Sequence, residues 1–193
     1  MMKSDPWLDK WLDLLKQKSA TGPVLELGCG SGWDTVELLA AGCKVIASDL
    51  STGNLSATKL AAPNADNVQL DNGQPLPFAD HSLSIIVASL TLHYFPWTVT
   101  MQIASELRRC LKPDGILLAR FNSTHDYNYG ASTTEPPIEP NLYFLGTMTK
   151  RFFDETSVRS FLQGWDIQFL EENIINRYEK PKSVWEVMAV SAD

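Results

Sequence analysis

Cysteine, histidine and basic charge are all scarce in this chain of 193 residues, and each scarcity removes a class of chemistry. The three cysteines, Cys29, Cys43 and Cys110, are odd in number and lack C-x-x-C spacing, so they read as reduced thiols packed in a core rather than as a disulfide framework. No His/Cys spacing suits a metal, no carboxylates are paired for glycoside cleavage, and no G-x-S-x-G is present, so no metal site is expected and the zinc, glycosidase and hydrolase readings have no support. Lysine and arginine number 16 against 23 acids, a net charge of −7 without any basic run, so no nucleic-acid partner is expected. Nor does any stretch reach the ~18 apolar residues of a membrane span. Lys3, Asp5, Asp9, Lys10 and Asp13 interrupt the region where the apolar core of a signal peptide would lie, and the expectation is a cytoplasmic protein with no membrane partner.

What is present is an alternation of short apolar runs and amphipathic segments. Its length and 44% hydrophobic content suit one domain, 1–193, without internal repeats. An amphipathic helix over Asp5–Lys18, capped by Ser4 or Asp5, places Trp7, Leu8, Trp11, Leu12 and Leu15 on one face. Strands at 23–27, 44–48, 67–70, 83–89 and 115–121 then alternate with helices at 32–41, 52–61 and 97–110. In the last of these, Val99, Ile103, Leu107 and Leu111 form the core-facing stripe, and Pro113 with Gly115 stops the helix. The tail carries a helix from Asp154 to Leu162 and two apolar runs, Trp165–Leu170 and Val184–Val190, which lack a crossover between them and must pair antiparallel. The fold class is therefore α/β: a doubly wound, mostly parallel seven-stranded sheet with an antiparallel last strand and helices on both faces.

The most informative stretch is Val24-Leu-Glu-Leu-Gly-Cys-Gly-Ser-Gly32, a buried strand running into a glycine turn. Gly28, Gly30 and Gly32 permit positive φ and let a ligand lie against bare main chain. Their spacing is G-x-G-x-G; the dinucleotide fingerprint needs a third glycine where Trp33 stands, so hydride transfer loses a required contact. Glu26 ahead of the turn could face an ammonium and would repel a pyrophosphate. Asp49 ends the second strand, where a doubly wound fold places an acid for ribose hydroxyls, and this reading is preferred to a cap on the next helix, for which Ser51 is an equally good candidate. Asp71, Asn72 and Gly73 follow the third strand as a polar cluster that also reads as a plain turn.

The turn and the acid before it resemble the first motif of the class I S-adenosylmethionine-dependent methyltransferases, E/D-x-G-x-G-x-G. Residues 75–95 extend the likeness to small-molecule members, with Leu76-Pro77-Phe78, Asp80 and a strand ending in Ser89, Leu90 and His93. The Asn/Asp-Pro-Pro-Tyr of enzymes that methylate amino groups of DNA and protein is absent after that strand. The resemblance covers residues 22–121. It implies that Glu26, Gly28, Gly30 and Gly32 hold the methionine end of S-adenosylmethionine, that Asp49 binds the ribose and Asp71 the adenine, and that Cys29, Leu50, Asn72 and Ser89 complete the cofactor contacts. The product cofactor would be S-adenosylhomocysteine, and the partner a small-molecule methyl acceptor.

Methyl transfer is an in-line displacement that mainly requires alignment and exclusion of water. His93 is the best-placed base for an acceptor that must lose a proton, with Tyr94, His125 and Asp126 behind it. The segment 122–150 is long for a loop in a compact domain and leaves the carboxyl end of a strand, which makes it a candidate substrate lid. Its aromatics argue against a disordered excursion. Candidate acceptor contacts are Trp11, Trp33, Tyr94, Tyr127 and Tyr129, with the Trp7/Trp11 helix either closing the site or packing permanently on the sheet. A cofactor-binding sensor without turnover is the alternative reading.

Overall fold

In the computed structural model of the chain, the described residues are 5–191, so the alternative cap Ser4 lies outside them. The chain runs through α1 (Leu12–Ser19), β1 (Val24–Leu27), α2 (Trp33–Ala40), β2 (Val45–Asp49), α3 (Thr52–Ala61), β3 (Asp66–Gln69), β4 (Leu83–Ser89), α4 (Trp97–Cys110) and β5 (Leu111–Asn122). A hairpin of β6 (Leu142–Leu145) and β7 (Met148–Arg151) follows, then α5 (Glu155–Phe161), β8 (Trp165–Ile175) and β9 (Lys182–Ser191). Seven strands form one sheet in the order β3-β2-β1-β4-β5-β9-β8, parallel throughout except for β9, which runs antiparallel to both neighbours.

The alternation of side chains along each strand, with both faces covered, explains why the central runs are buried almost without a break. Leu25 and Leu27 of β1, Ile86 of β4 and Leu117 of β5 pack on one face with Ile103 and Leu107 of α4 and Phe161 of α5. Val24, Val45, Ile85, Val87 and Leu118 pack on the other with Leu8, Leu15 and Leu38. Ser51 caps α3, its hydroxyl accepting from the Asn54 amide at 3.3 Å, so Asp49 is not spent on the cap. Cys29, Cys43 and Cys110 are all free and buried. No helix among the described residues is long and apolar enough to cross a membrane.

Three segments differ from expectation. The helix over Asp5–Lys18 begins only at Leu12, after a single 3-10 turn at Asp9–Trp11. Trp7 and Leu8 are drawn into the core, and the Trp7 indole donates to Asp34 Oδ2 at 3.1 Å, which holds the entering chain off a helical path. Leu111, expected on the core stripe of α4, is the first residue of β5 and pairs with Leu83; Pro113 and Gly115 sit inside that strand's irregular start, where the register shifts. The expected loop 122–150 holds a 3-10 turn at Tyr127–Tyr129 and most of the β6–β7 hairpin, closed by Gly146 at φ +70°.

Candidate active site

Three adjoining clefts open at the carboxyl edge of β1, β2 and β4, the edge where open α/β sheets bind ligands. The first, about 400 Å³, has Gly28 and Gly30 on one side and Asp49, Leu50, Asp71 and Asn72 on the other. The second, about 230 Å³, continues past the same two glycines to Glu26, Cys29, Trp33, Ser89 and Arg177. The third, about 210 Å³, is lined by His93, Asn122, Tyr129, Met148, Lys150 and Lys182. All three meet at Leu90; Tyr94 is shared by the first and third, and Tyr178 by the second and third. Leu90 holds φ at +55°, a left-handed conformation that costs a branched-chain residue free energy and is concentrated at functional sites. A larger cavity of about 480 Å³ lies between α4 and α5, but none of the motif residues lines it.

The glycine turn is shaped from within. A Cβ on Gly28, at φ +67°, would fall 2.2 Å from Thr91 Oγ1, and one on Gly32, at φ +83°, would press on Thr58 of α3 at 3.1 Å. A Cβ on Gly30, at φ +56°, would meet nothing within 4 Å, because it would project into the first two clefts. That open space beside bare main chain fits a ligand that crosses the turn. The Gly30 amide donates to Asp49 Oδ2 at 3.0 Å and the Ser51 amide to Asp49 Oδ1 at 2.8 Å, which aims the carboxylate along the cleft wall. Asp71 accepts from the Gly73 amide at 2.9 Å, and Asn72 donates to Thr91 Oγ1 at 3.1 Å.

Glu26 is almost wholly buried at the inner end of the second cleft. Burial pushes its carboxyl up to about 8, the nearby charges of Asp34 and Asp49 add to the rise, and the Thr35 hydroxyl, donating at 2.5 Å, opposes it. An acid held protonated in this way gains a strong attraction for a cation once it ionises. Cys29 is raised to about 11 by burial, so its thiol is a packing group and no nucleophile. His93 is buried against the Tyr94 ring at a centroid distance of 4.1 Å. Burial first, then the charges of Lys150 and Lys182, hold its pKa well below the usual value, so the imidazole is neutral at pH 7. Its Nδ1 has no hydrogen-bond partner among the described residues.

Most of the residues expected from sequence converge: Glu26, Gly28, Cys29, Gly30, Asp49, Leu50, Asp71, Asn72, Ser89, Trp33, His93, Tyr94 and Tyr129 line one cleft or another. Three do not. Gly32 serves the packing of the turn on α3, Trp11 stacks edge-on against Phe169 of β8 at 5.4 Å, and Tyr127 is exposed, with its ring 6.1 Å from that of His125. The Trp7/Trp11 segment packs on the sheet, and Asp5 bonds Arg120 at 2.6 Å. Leu90, Asn122, Lys150, Arg177, Tyr178 and Lys182 line the clefts as well, although the sequence points to Leu90 only as part of a motif and to Asn122 and Lys150 only as the ends of the lid segment. Five of them lie beyond residue 121, on segments without a local motif, and only the return of the chain over the sheet edge brings them in.

Residues 25–119, from β1 to β5, match the family model described as a methyltransferase domain. The chain is 33% identical over 105 residues to the biotin biosynthesis bifunctional protein BioHC of Cellvibrio japonicus, which spans 54% of this chain and 20% of that one. It is 36% identical over 93 residues to an uncharacterized methyltransferase of Synechocystis, spanning 48% of this chain and 43% of that one. The matched segments thus cover less than half of these relatives' length. Among solved structures, a methyltransferase of Methanosarcina mazei described as S-adenosylmethionine-dependent superposes with a TM-score of 0.76 at 18% identity, covering 88% of this chain and 92% of that one, a likeness of fold. On the family match and the sheet order together, residues 25–119 form a methyltransferase domain, and the chain has the fold of the S-adenosylmethionine-dependent methyltransferase on which it superposes.

Proposed function

We propose that the protein transfers a methyl group from S-adenosylmethionine to a small-molecule acceptor. The observation that carries this reading is the turn at Gly30, open to both clefts and flanked by two carboxylates, Glu26 at the end of β1 and Asp49 at the end of β2. Asp49 would accept from the ribose hydroxyls and Asp71 with Asn72 would border the adenine in the first cleft. Glu26 and Ser89 would face the methionine end in the second, and Cys29 and Leu50 would supply apolar contact. When bound, the sulfonium supplies a methyl carbon already activated for displacement. The protein's own work is then to align an acceptor near Leu90 and to exclude water.

Acceptor contacts fall to Tyr94 and Tyr129 in the third cleft, with Trp33 at the mouth of the second. The segment 122–150 would act as a lid, since its hairpin carries Met148 and Lys150 into the wall of the third cleft. His93, neutral and with a free ring nitrogen, is placed to take a proton from an acceptor that must lose one. Free, buried cysteines support a reducing compartment, the cytoplasm.

The test is calorimetric titration with S-adenosylmethionine and S-adenosylhomocysteine, followed by transfer of labelled methyl to a panel of metabolites. Asp49→Ala should weaken cofactor binding by about 1.5–3 kcal/mol, the scale of charged hydrogen bonds. His93→Ala should slow turnover with cofactor affinity nearly intact. Absence of binding heat with either form of the cofactor would end the proposal, and binding with no turnover on a broad panel would reduce the protein to a sensor.

A further inference from the structure

The third cleft has an electrical asymmetry that the cofactor reading does not use. Its lining includes two lysines, Lys150 and Lys182, and among the described residues no acid. Both ammonium groups are sequestered, with side chains 15% and 7% exposed. One carboxylate, Asp126, stands behind them: its Oδ2 accepts from Lys182 at 2.6 Å and is 3.9 Å from Lys150. Lys150 instead directs its Nζ to the neutral carbonyl of Tyr129 at 2.7 Å. Two buried cations thus share one anion, and the aromatic faces of Tyr129 and Phe152 offset the excess only in part.

Asn122, wholly buried at the end of β5, lines the same cleft, and neither its Oδ1 nor its Nδ2 has a hydrogen-bond partner among the described residues. A buried amide without partners costs free energy unless something from outside satisfies it. The surplus positive charge and the open amide donor face one space, and an oxyanion satisfies both. The cleft's volume of about 210 Å³ and its walls of Tyr94, Tyr129 and Tyr178 leave room for a carboxylate with a ring or short chain attached. Leu90 and Tyr178 line both this cleft and the second, so the two adjoin beside the turn.

We propose that this cleft is an anion pocket and that the methyl acceptor is a small carboxylic acid, its carboxylate seated against Lys150, Lys182 and the amide of Asn122. The acceptor role rests on the methyl-transfer reading; the anion pocket does not. Burial and the neighbouring Lys182 charge lower Lys150 to about 8, with Asp126 opposing them, so Lys150 is mostly charged near pH 7 and available to an anion.

The experiment is a ligand-observed NMR titration of the full chain with benzoate, 4-hydroxybenzoate and hexanoate, each against its uncharged primary amide, with and without S-adenosylhomocysteine. At least one acid should bind about tenfold or more tighter than its amide. Lys150→Met, checked for folding by its thermal melt, should abolish that preference, while Lys150→Arg should retain it. Amides that match their acids, or no acid binding at millimolar concentration in the wild-type chain, would overturn the anion pocket without recourse to any variant. Binding of S-adenosylhomocysteine in the same samples separates the two ideas. Cofactor binding without acid preference sinks the pocket assignment alone, whereas acid preference without cofactor binding sinks the methyl-transfer reading and leaves the pocket standing.

Discussion

At Glu26, a carboxyl buried among other acids has its folded pKa raised to about 8, so across neutral pH the empty protein holds a proton there that the unfolded chain would have released. Its contribution to stability is therefore complete below the unfolded value and is lost as pH rises through about 8. A bound cation reverses the balance, because an ammonium or sulfonium stabilises the carboxylate and expels the proton. Cofactor affinity should accordingly rise from pH 6 to 7.5, a window in which the cofactor's own α-ammonium mostly keeps its charge. Calorimetry in buffers of different ionisation heat should show proton release on binding. Glu26→Gln should flatten the affinity slope and remove the release. A wild-type protein with pH-independent affinity and no proton release would show that Glu26 does not meet the cofactor's charge.

The β6–β7 hairpin decides whether the third cleft has a wall. It is fastened by Arg151, whose amide donates to the His93 carbonyl at 2.7 Å, whose Nε reaches the Phe95 carbonyl at 3.2 Å and whose Nη1 reaches Pro140 at 3.1 Å, with Glu139 paired to Nη2. Removing the guanidinium takes the ion-pair partner from Glu139, which keeps only the Trp97 amide, and the donor from the Pro140 carbonyl, so Arg151→Met should cost about 3 kcal/mol, read as a lower urea midpoint. A midpoint within error of the wild type would mean that the hairpin holds itself. This element was legible in principle: Leu142-Tyr-Phe-Leu145 and Met148–Arg151 are two short runs separated by two residues, Gly146 and Thr147, a hairpin spacing. Four-residue strands that pair only with each other carry too little periodicity to stand out inside a segment rich in proline and asparagine. The N-terminal helix misled for the opposite reason. Trp7 and Leu8 fit a helical stripe, but their burial against Asp34 and the sheet outweighed the local pattern.

Across the whole molecule, the sheet was readable because parallel strands covered on both faces are mostly apolar, with Glu26 the one charged residue in β1 and β4, and because crossover helices separate them at regular intervals. Half of the site was readable for a local reason, since Glu26, the glycine turn, Asp49 and Asp71 each sit at a strand end that its own neighbours define. The other half, Arg177 and Tyr178 on the connection between β8 and β9 and Lys182 at the start of β9, comes back to the carboxyl edge more than 100 residues after the turn it faces, and no short-range pattern encodes that meeting. A ligand spanning the first two clefts therefore ties the first strands of the sheet to its last, and its binding should be felt by the cooperative unit as a whole. At a hundredfold excess over its dissociation constant, a ligand selective for the folded state adds about 2.7 kcal/mol. For a domain of this size, that corresponds to a rise of about 5–11 °C in Tm. S-adenosylhomocysteine should produce this shift and NAD none, because the turn lacks the third glycine of the dinucleotide fingerprint, where Trp33 stands. Equal protection by NAD, or none by S-adenosylhomocysteine at saturating concentration, would mean that the clefts on the two sides of Gly30 do not act as one binding site.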